Sequence, residues 1–256
     1  MEYSLAAADL CGSGPAPRVG WPAAIARAAR TSWTAFACVR DIRDLRETHD
    51  AAQSAVRLVE ACSRLSRSMR LDLRVHGRIP DGPCLIAANH LSYLDPLAIG
   101  QTHPVGAIAK SEIMGWPGVG EAAAKLGIVF VERGCARSGA IALRKAMRLL
   151  DAGLSVLVFP EGTTTTGDDV LPFSRGAFGI ARRMRVPVVP ATLRYDSREV
   201  CWVGDDSLLP HAVKLHRLSE IGADLIYGPS LQPMAFENAA ALAEATRRCV
   251  RSLLLP

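Results

Sequence analysis

A histidine and an aspartate five residues apart are the residues of this chain best suited to acid–base chemistry. His90 and Asp95 lie in segment 89–96, Asn-His-Leu-Ser-Tyr-Leu-Asp-Pro, directly after a short apolar run. A carboxylate that holds one imidazole nitrogen leaves the other nitrogen free to take a proton. Asp95 followed by Pro96 is typical of an N-cap and the first position of a helix. The segment therefore predicts a pair, at a strand-to-helix turn, that can activate a hydroxyl group.

The spacing alone is not specific, because His76 and Asp81 repeat it. His76 ends an alternating, half-polar segment, and Gly77 and Pro80 follow in what is predicted to be a hairpin turn. His90 instead ends an apolar strand, at the edge of a sheet where ligands bind. A capping or core role is the alternative for His90.

Three further segments follow predicted strands. Segment 127–134, Gly-Ile-Val-Phe-Val-Glu-Arg-Gly, ends in Arg133, which suits an anionic substrate group or is a solvated strand-end residue. Segment 157–167 contains Glu161, two glycines and four threonines, which can bind a phosphate or polar head group or form an ordinary polar loop. Segment 186–191 is an apolar strand between two prolines, and its predicted role is structural.

Short apolar runs alternate with helical stretches from residue 71 onward, which favours βαβ units and a largely parallel sheet. The predicted strands lie at 71–75, 84–88, 105–109, 128–131, 155–159, 186–193, 213–218 and 223–228. The predicted helices lie at 21–47, 51–70, 96–101, 118–126, 138–152, 174–184 and 237–254. We therefore predict an α/β fold, with one domain built on a largely parallel mixed sheet flanked by helices, preceded by N-terminal amphipathic helices.

Composition narrows the function classes. The net charge of +5 favours an anionic partner, which is a nucleic acid, a lipid surface or a phosphorylated ligand. The longest stretch without a charged residue is the 14 residues 96–109, and a membrane span needs ~20. No secretory signal is expected at the start of the chain.

The seven cysteines include no C-x-x-C pair, so no metal site is expected. The motifs of P-loop, serine-hydrolase and zincin enzymes are absent from the sequence.

Helix 51–70 has an apolar stripe with arginines largely off it. The stripe comprises Ala52, Ala55, Val59, Cys62, Leu65 and Met69, and the arginines are Arg57, Arg64, Arg67 and Arg70. A basic amphipathic helix of this kind can lie on an anionic membrane. The alternatives are that the stripe packs on the protein's own core and that helix 21–47 or the rim of a ligand-binding groove is the membrane contact.

The four segments, in this order, resemble the motifs of the glycerolipid acyltransferases, whose best-known members are the 1-acyl-glycerol-3-phosphate acyltransferases. The matching blocks are NHxxxxD at 89–95, GxxFxxR at 127–133, FPEGT at 159–163 and VPxxPx at 186–191. The resemblance implies the family's α/β fold, with a tunnel or groove for an acyl chain. It also implies that His90 is the general base, that Asp95 orients it, and that Lys110, Arg133, Glu161, Gly162 and Thr163 bind substrate.

The resemblance further implies the reaction: an acyl group moves from acyl-CoA or acyl carrier protein to the free hydroxyl of a lysophospholipid such as 1-acyl-glycerol-3-phosphate, giving phosphatidate. No cofactor, metal or nucleic acid is expected. Thr164 stands where family members that act on lysophosphatidate often have arginine, and the stretch from Cys201 to His211 resembles lyso-ornithine lipid acyltransferases. A lyso-ornithine lipid or another lysolipid is therefore the alternative acceptor. A non-catalytic lipid- or acyl-carrier-binding module is the alternative of another class.

We divide the chain into residues 1–70, a tail with a helical membrane-associating region, and residues 71–256, the acyltransferase domain. Because the acceptor is a lipid and no segment is predicted to span the bilayer, the expected location is peripheral, on the cytoplasmic face of the cell membrane.

Overall fold

The structure is a computed structural model, and it describes residues 16–43, 51–78, 81–111, 114, 119–126, 128–132, 135–204 and 207–255. Within those residues no helix is both long enough and apolar enough to cross a membrane.

Seven strands form a single sheet in the order β1-β7-β6-β2-β5-β3-β4. They are β1 Leu71–His76, β2 Leu85–Ala88, β3 Val105–Lys110, β4 Val129–Val131, β5 Ser155–Val158, β6 Val188–Tyr195 and β7 Ile221–Tyr227. All neighbouring strands are parallel except β6 and β7. The predicted largely parallel mixed sheet is confirmed.

Helices cover both faces of the sheet. In the described residues they are α1 Trp21–Arg43, α2 Ala51–Met69, α3 Asp95–Gly100, α4 Val119–Lys125, α5 Ala136–Asp151, α6 Gly176–Met184, α7 Leu208–Arg217 and α8 Ala239–Leu254. One apolar cluster joins the sheet to α1, α2, α3, α4 and α7, and a second joins it to α5, α6 and α8.

Strand β2 shows how this arrangement follows from the sequence. Its residues alternate between the two clusters: Leu85 and Ala87 face one, and Ile86 and Ala88 face the other. Successive side chains of a strand point to opposite faces, so a strand covered on both faces is apolar throughout. This strand lies near the middle of the sheet and carries His90 just beyond its carboxyl end.

Two local predictions were wrong. Residues 213–218 do not form a strand, because they lie in and just beyond helix α7. The buried residues in this part of the chain fit a helical spacing, since they are His211, Leu215, His216 and Leu218. Strand β1 does not enter a hairpin after Gly77, because it pairs in parallel with the distant β7. Pro80 of that predicted turn lies outside the described residues.

The apolar stripe of α2 belongs to the core. Ala55 and Cys62 of the stripe are buried, Leu65 and Met69 pack on the same core, and the helix contacts α1, α3 and β1. Leu58, beside the stripe, is also buried. The prediction that this stripe enters a membrane was therefore wrong, and the alternative of a core helix holds. Periodicity identifies an amphipathic helix but not the surface that covers its apolar face. Whether residues 1–70 associate with a membrane in another way stays a prediction.

Substitutions in α2 test this placement. Leu58→Ala should lower the free energy of unfolding by about 2–5 kcal/mol because it leaves a cavity in the core. Val56 lies two residues away and is exposed. The matched control Val56→Ala should therefore change it by less than about 0.5 kcal/mol. Urea denaturation measures both. Equal, small effects would show that this face of α2 is not part of the core.

Candidate active site

His90 and Asp95 form a hydrogen-bonded pair between β2 and α3. His90 Nδ1 lies 2.7 Å from Asp95 Oδ2. A carboxylate only accepts hydrogen bonds, so Nδ1 carries the proton and donates it. The neutral ring then has its lone pair on Nε2, which is able to take a proton. The distance predicted for this pair is confirmed, and the catalytic role stays a prediction.

Asp95 is fully buried, and several donors hold its carboxylate. The backbone N–H groups of Leu91 and Ser92 donate to Oδ2 at 2.6 and 2.9 Å. The hydroxyl of Tyr195 donates to Oδ1 at 2.8 Å. Asp95 is thus the first residue of α3 and not its N-cap, because its side chain binds the preceding turn instead. The sequence predicted an N-cap because an aspartate followed by proline is typical of an N-cap.

Asn89 ties the end of β2 to β6. Its Nδ2 donates to the carbonyl of Leu193 at 3.0 Å, and its Oδ1 accepts from the Leu193 N–H at 2.8 Å. Two opposed bonds of this kind continue the ladder between these strands beyond its last backbone pair. The side chain is buried, so the turn that carries His90 starts from a fixed point.

The loop after β5 holds the backbone of His90 on both sides. Glu161 Oε1 accepts from the His90 N–H at 2.8 Å, and the Thr165 N–H donates to the His90 carbonyl at 2.8 Å. The other oxygen of Glu161 accepts from the Leu171 N–H at 2.9 Å. The imidazole also stacks on Phe159, with 4.2 Å between ring centroids.

These contacts bear on the substrate-binding role that the resemblance implies for Glu161. Both of its oxygens accept from backbone N–H groups, so its carboxylate joins the His90 turn to Leu171, which lies later in the loop after β5. Burial raises the pKa of Glu161, and the two backbone hydrogen bonds oppose that rise. The geometry supports a positioning role at least as strongly as direct contact with substrate.

A cavity of about 420 Å³ opens beside the pair. Apolar side chains form most of it, and His90 lies on its wall. The apolar residues are from β3, β4, β5 and α5, and include Ile108, Val131, Ala142, Leu143 and Val158. Such a lining suits an alkyl chain with its reactive end near His90.

The other predicted substrate-binding residues fall in different places. Gly162 lines the cavity with a φ of 74°, a left-handed conformation that favours glycine. Thr163 is exposed, while its neighbour Thr164 lines the cavity. Lys110 ends β3, and its side chain is not described. Arg133 lies outside the described residues, so its predicted role in substrate binding stays a prediction.

The sequence analysis missed an aromatic wall of the cavity. Tyr93 and Trp202 line it and pack edge to face, with 5.5 Å between their ring centroids. Behind them, buried His211 lies 3.3 Å from the Tyr93 hydroxyl through Nδ1 and 3.2 Å from the Cys201 carbonyl through Nε2. A carbonyl only accepts, so Nε2 carries a proton and donates it to Cys201. The stretch from Cys201 to His211 was the available signal, since it resembles lyso-ornithine lipid acyltransferases.

The second histidine–aspartate spacing forms no such pair. His76 Nε2 lies 2.7 Å from Asp224, and Asp81 is exposed and bonds Arg78. The prediction that context separates the two spacings is confirmed. In the described residues, no three metal-ligating side chains cluster in a way that would hold an ion.

Comparisons with known proteins agree with this geometry. A family model described as "Acyltransferase" matches residues 72–194, from β1 into β6. The lyso-ornithine lipid O-acyltransferase of Pseudomonas aeruginosa is 33% identical over 199 residues, which are 75% of this chain and 76% of that protein. The 1-acyl-sn-glycerol-3-phosphate acyltransferase of Neisseria meningitidis is 35% identical over 130 residues, 50% of this chain and 51% of that protein.

The fold is also similar to a solved structure. The 1-acyl-sn-glycerophosphate acyltransferase PlsC of Thermotoga maritima superposes with a TM-score of 0.66 at 21% identity. The match covers 90% of this chain and 95% of that one. The predicted fold is therefore confirmed.

Replacing Glu161 tests its place in the site. Glu161→Gln keeps the size of the side chain but turns an N–H donor toward one of the two backbone N–H groups. Losing one acceptor should lower the free energy of unfolding by about 1–3 kcal/mol. The exposed Glu237 provides the control Glu237→Gln, which should have little effect. If urea denaturation finds the two variants equally stable, the carboxylate does not hold the His90 turn.

Proposed function

Because this chain belongs to the acyltransferase family, we propose that it moves an acyl group from a thioester donor to the free hydroxyl of a lysolipid. The observation that supports this most directly is the His90–Asp95 pair beside an apolar cavity. An acceptor hydroxyl and an acyl carbonyl would meet next to His90, on the wall of this cavity.

The geometry supports the following mechanism. His90 Nε2 takes the proton of the acceptor hydroxyl, and the oxygen attacks the carbonyl carbon of the thioester. A carbon–oxygen bond forms, the carbon–sulfur bond breaks, and the sulfur leaves as a thiol that carries the proton from His90. Asp95 stabilises the imidazolium that forms between these steps. A positioned base of this kind contributes about 10²–10⁴-fold to the rate.

A lyso-ornithine lipid is the first candidate acceptor. The P. aeruginosa relative that carries this name aligns over three quarters of both proteins, whereas the N. meningitidis lysophosphatidate relative aligns over half. In the site, Tyr93 lines the cavity, and its hydroxyl oxygen has lone pairs that can accept hydrogen bonds from a ligand. Lone pairs suit the N–H groups of an amide or amine better than an anionic phosphate. Thr164 in place of an arginine favours the same acceptor.

Lysophosphatidate is the second candidate, because relatives of that name match at slightly higher identity over a shorter length, 37% over 134 residues and 35% over 130. In that case Lys110 and Arg133 would be the cations for its phosphate. The donor is the thioester of coenzyme A or of acyl carrier protein, and its acyl chain would occupy the apolar part of the cavity.

We further propose that the enzyme works peripherally on the cytoplasmic face of the membrane, with α1 as its contact. Trp33, Phe36 and Ile25 of this helix are each more than half exposed. At 100° per residue these three side chains share one face of α1. Arg30 and Arg67 line an open groove beside Trp33, where anionic lipid head groups would be attracted.

An activity assay tests the reaction and its acceptor. Purified protein is incubated with labelled acyl-CoA or acyl carrier protein and one of three acceptors: lyso-ornithine lipid, lysophosphatidate or lysophosphatidylcholine. Lyso-ornithine lipid should be the best acceptor. His90→Ala should lower kcat by about 10²-fold or more, because it removes the base. Transfer that persists in this variant would contradict the mechanism, and exclusive use of lysophosphatidate would select the second acceptor.

Sedimentation with vesicles that contain anionic lipid tests the membrane contact. Trp33→Ala/Phe36→Ala should weaken binding by about tenfold or more, because each side chain buries apolar area in the interface. Leu209 and Met234 are equally exposed but lie elsewhere. The control Leu209→Ala/Met234→Ala should therefore bind like the parent. Equal binding by all three proteins would place the contact outside α1.

A further inference from the structure

We infer that Tyr195 is a positioning residue of the active site, whose hydroxyl fixes the second oxygen of Asp95 and thereby the orientation of His90. This inference rests on the proposed role of His90 as the base. Tyr195 lies 100 residues from Asp95 in the sequence, at the end of β6.

The two oxygens of Asp95 are held in different ways. Oδ2 accepts from three groups of its own segment: the imidazole of His90 and the N–H groups of Leu91 and Ser92. Within the described residues, Oδ1 accepts from Tyr195 alone. Three donors on one oxygen fix its position, but the plane of the carboxylate is fixed only when the other oxygen is held as well. Tyr195 supplies that second point.

Burial makes this contact important. Asp95 is 0% exposed and Tyr195 is 8% exposed. A buried carboxylate oxygen without a donor is costly, so the turn would rearrange to find another one. Any such rotation would move Oδ2 relative to His90 Nδ1.

Strand β6 holds the segment 89–95 at both ends. The backbone of Leu193 bonds Asn89, and Tyr195, two residues further on, bonds Asp95. One rigid strand therefore sets the distance between the start of the turn and its carboxylate.

Tyr195 acts through Asp95 and not on substrate. It is not among the described residues that line the cavity. Burial and the neighbouring carboxylate raise the pKa of Tyr195 well above its ordinary value, so the hydroxyl stays protonated and remains a donor.

The substitution Tyr195→Phe tests the inference, with the pH profile of kcat/KM as the main readout. The Tyr195 hydroxyl donates to the carboxylate of the unprotonated His90–Asp95 pair. Without this donor, protonation of the pair is more favourable. The acid limb of the profile should therefore move up by about one pH unit, and kcat should fall by about tenfold, while KM for the acceptor changes less than about twofold. An unchanged profile would overturn the inference, even if the variant were less stable.

Tyr227→Phe is the matched control. Tyr227 is also a buried tyrosine, but its hydroxyl bonds Thr102 instead of the active site. This variant should keep the parent's profile and kcat. If it shifted the acid limb as Tyr195→Phe does, the effect would come from general loosening and the inference would fail.

Two further variants keep the test decisive. Replacing Tyr195 by 4-aminophenylalanine retains a donor at the same ring position and should restore the profile, also where the phenylalanine variant folds poorly. In an Asp95→Asn background, Tyr195→Phe should cost little additional kcat, because the group through which it acts is gone. Activity that survives His90→Ala would refute the proposed function, whereas a normal Tyr195→Phe beside an inactive His90→Ala would refute only this inference.

Discussion

A buried carboxylate that no lysine or arginine of the described residues neutralises is the constraint on which this site depends. Asp95 has no access to water, so its charge is stable only if hydrogen-bond donors replace the water it has lost. Two donors come from the backbone of its own turn, one from His90 and one from Tyr195. The carboxylate in turn fixes the tautomer of His90, because it only accepts, so Nδ1 must donate and Nε2 is left to accept. Burial makes the charge of Asp95 unfavourable without donors, and the same buried contact holds His90 with Nε2 free to accept a proton.

The fold provides this arrangement because parallel strands bring separate parts of the chain to one edge. The turn after β2 carries His90, the loop after β5 carries Glu161 and Thr165, and β6 carries Leu193 and Tyr195. The main chain of His90 is bonded on both its N–H and its carbonyl by the β5 loop. Ligands in open α/β sheets bind at such carboxyl ends, and here the apolar cavity opens at that edge.

What is local in the chain was predictable from the sequence. His90 and Asp95 are five residues apart between a strand and a helix, so their contact needs only one turn. The long-range contacts were not predictable, because nothing near Tyr195 in the sequence indicates that it meets Asp95. Glu161 was expected near substrate, yet which atoms its oxygens meet depends on how the β5 loop folds back. For α2, periodicity gave the apolar face but not its partner, and for 213–218 the residues fit both a strand and a helix. In each case the deciding contact comes from a distant part of the chain.

The tautomer of His90 is the most direct test of this account, because the proposed chemistry requires an unprotonated Nε2 held in place by a protonated Nδ1. Nitrogen-15 NMR of the imidazole side chains reports which nitrogen carries the proton, and the signal that disappears in His90→Gln identifies the residue. At a pH where the ring is neutral, the account predicts a proton on Nδ1 and a free lone pair on Nε2, with this preference lost in Asp95→Asn. A proton on Nε2 in the parent protein would contradict it.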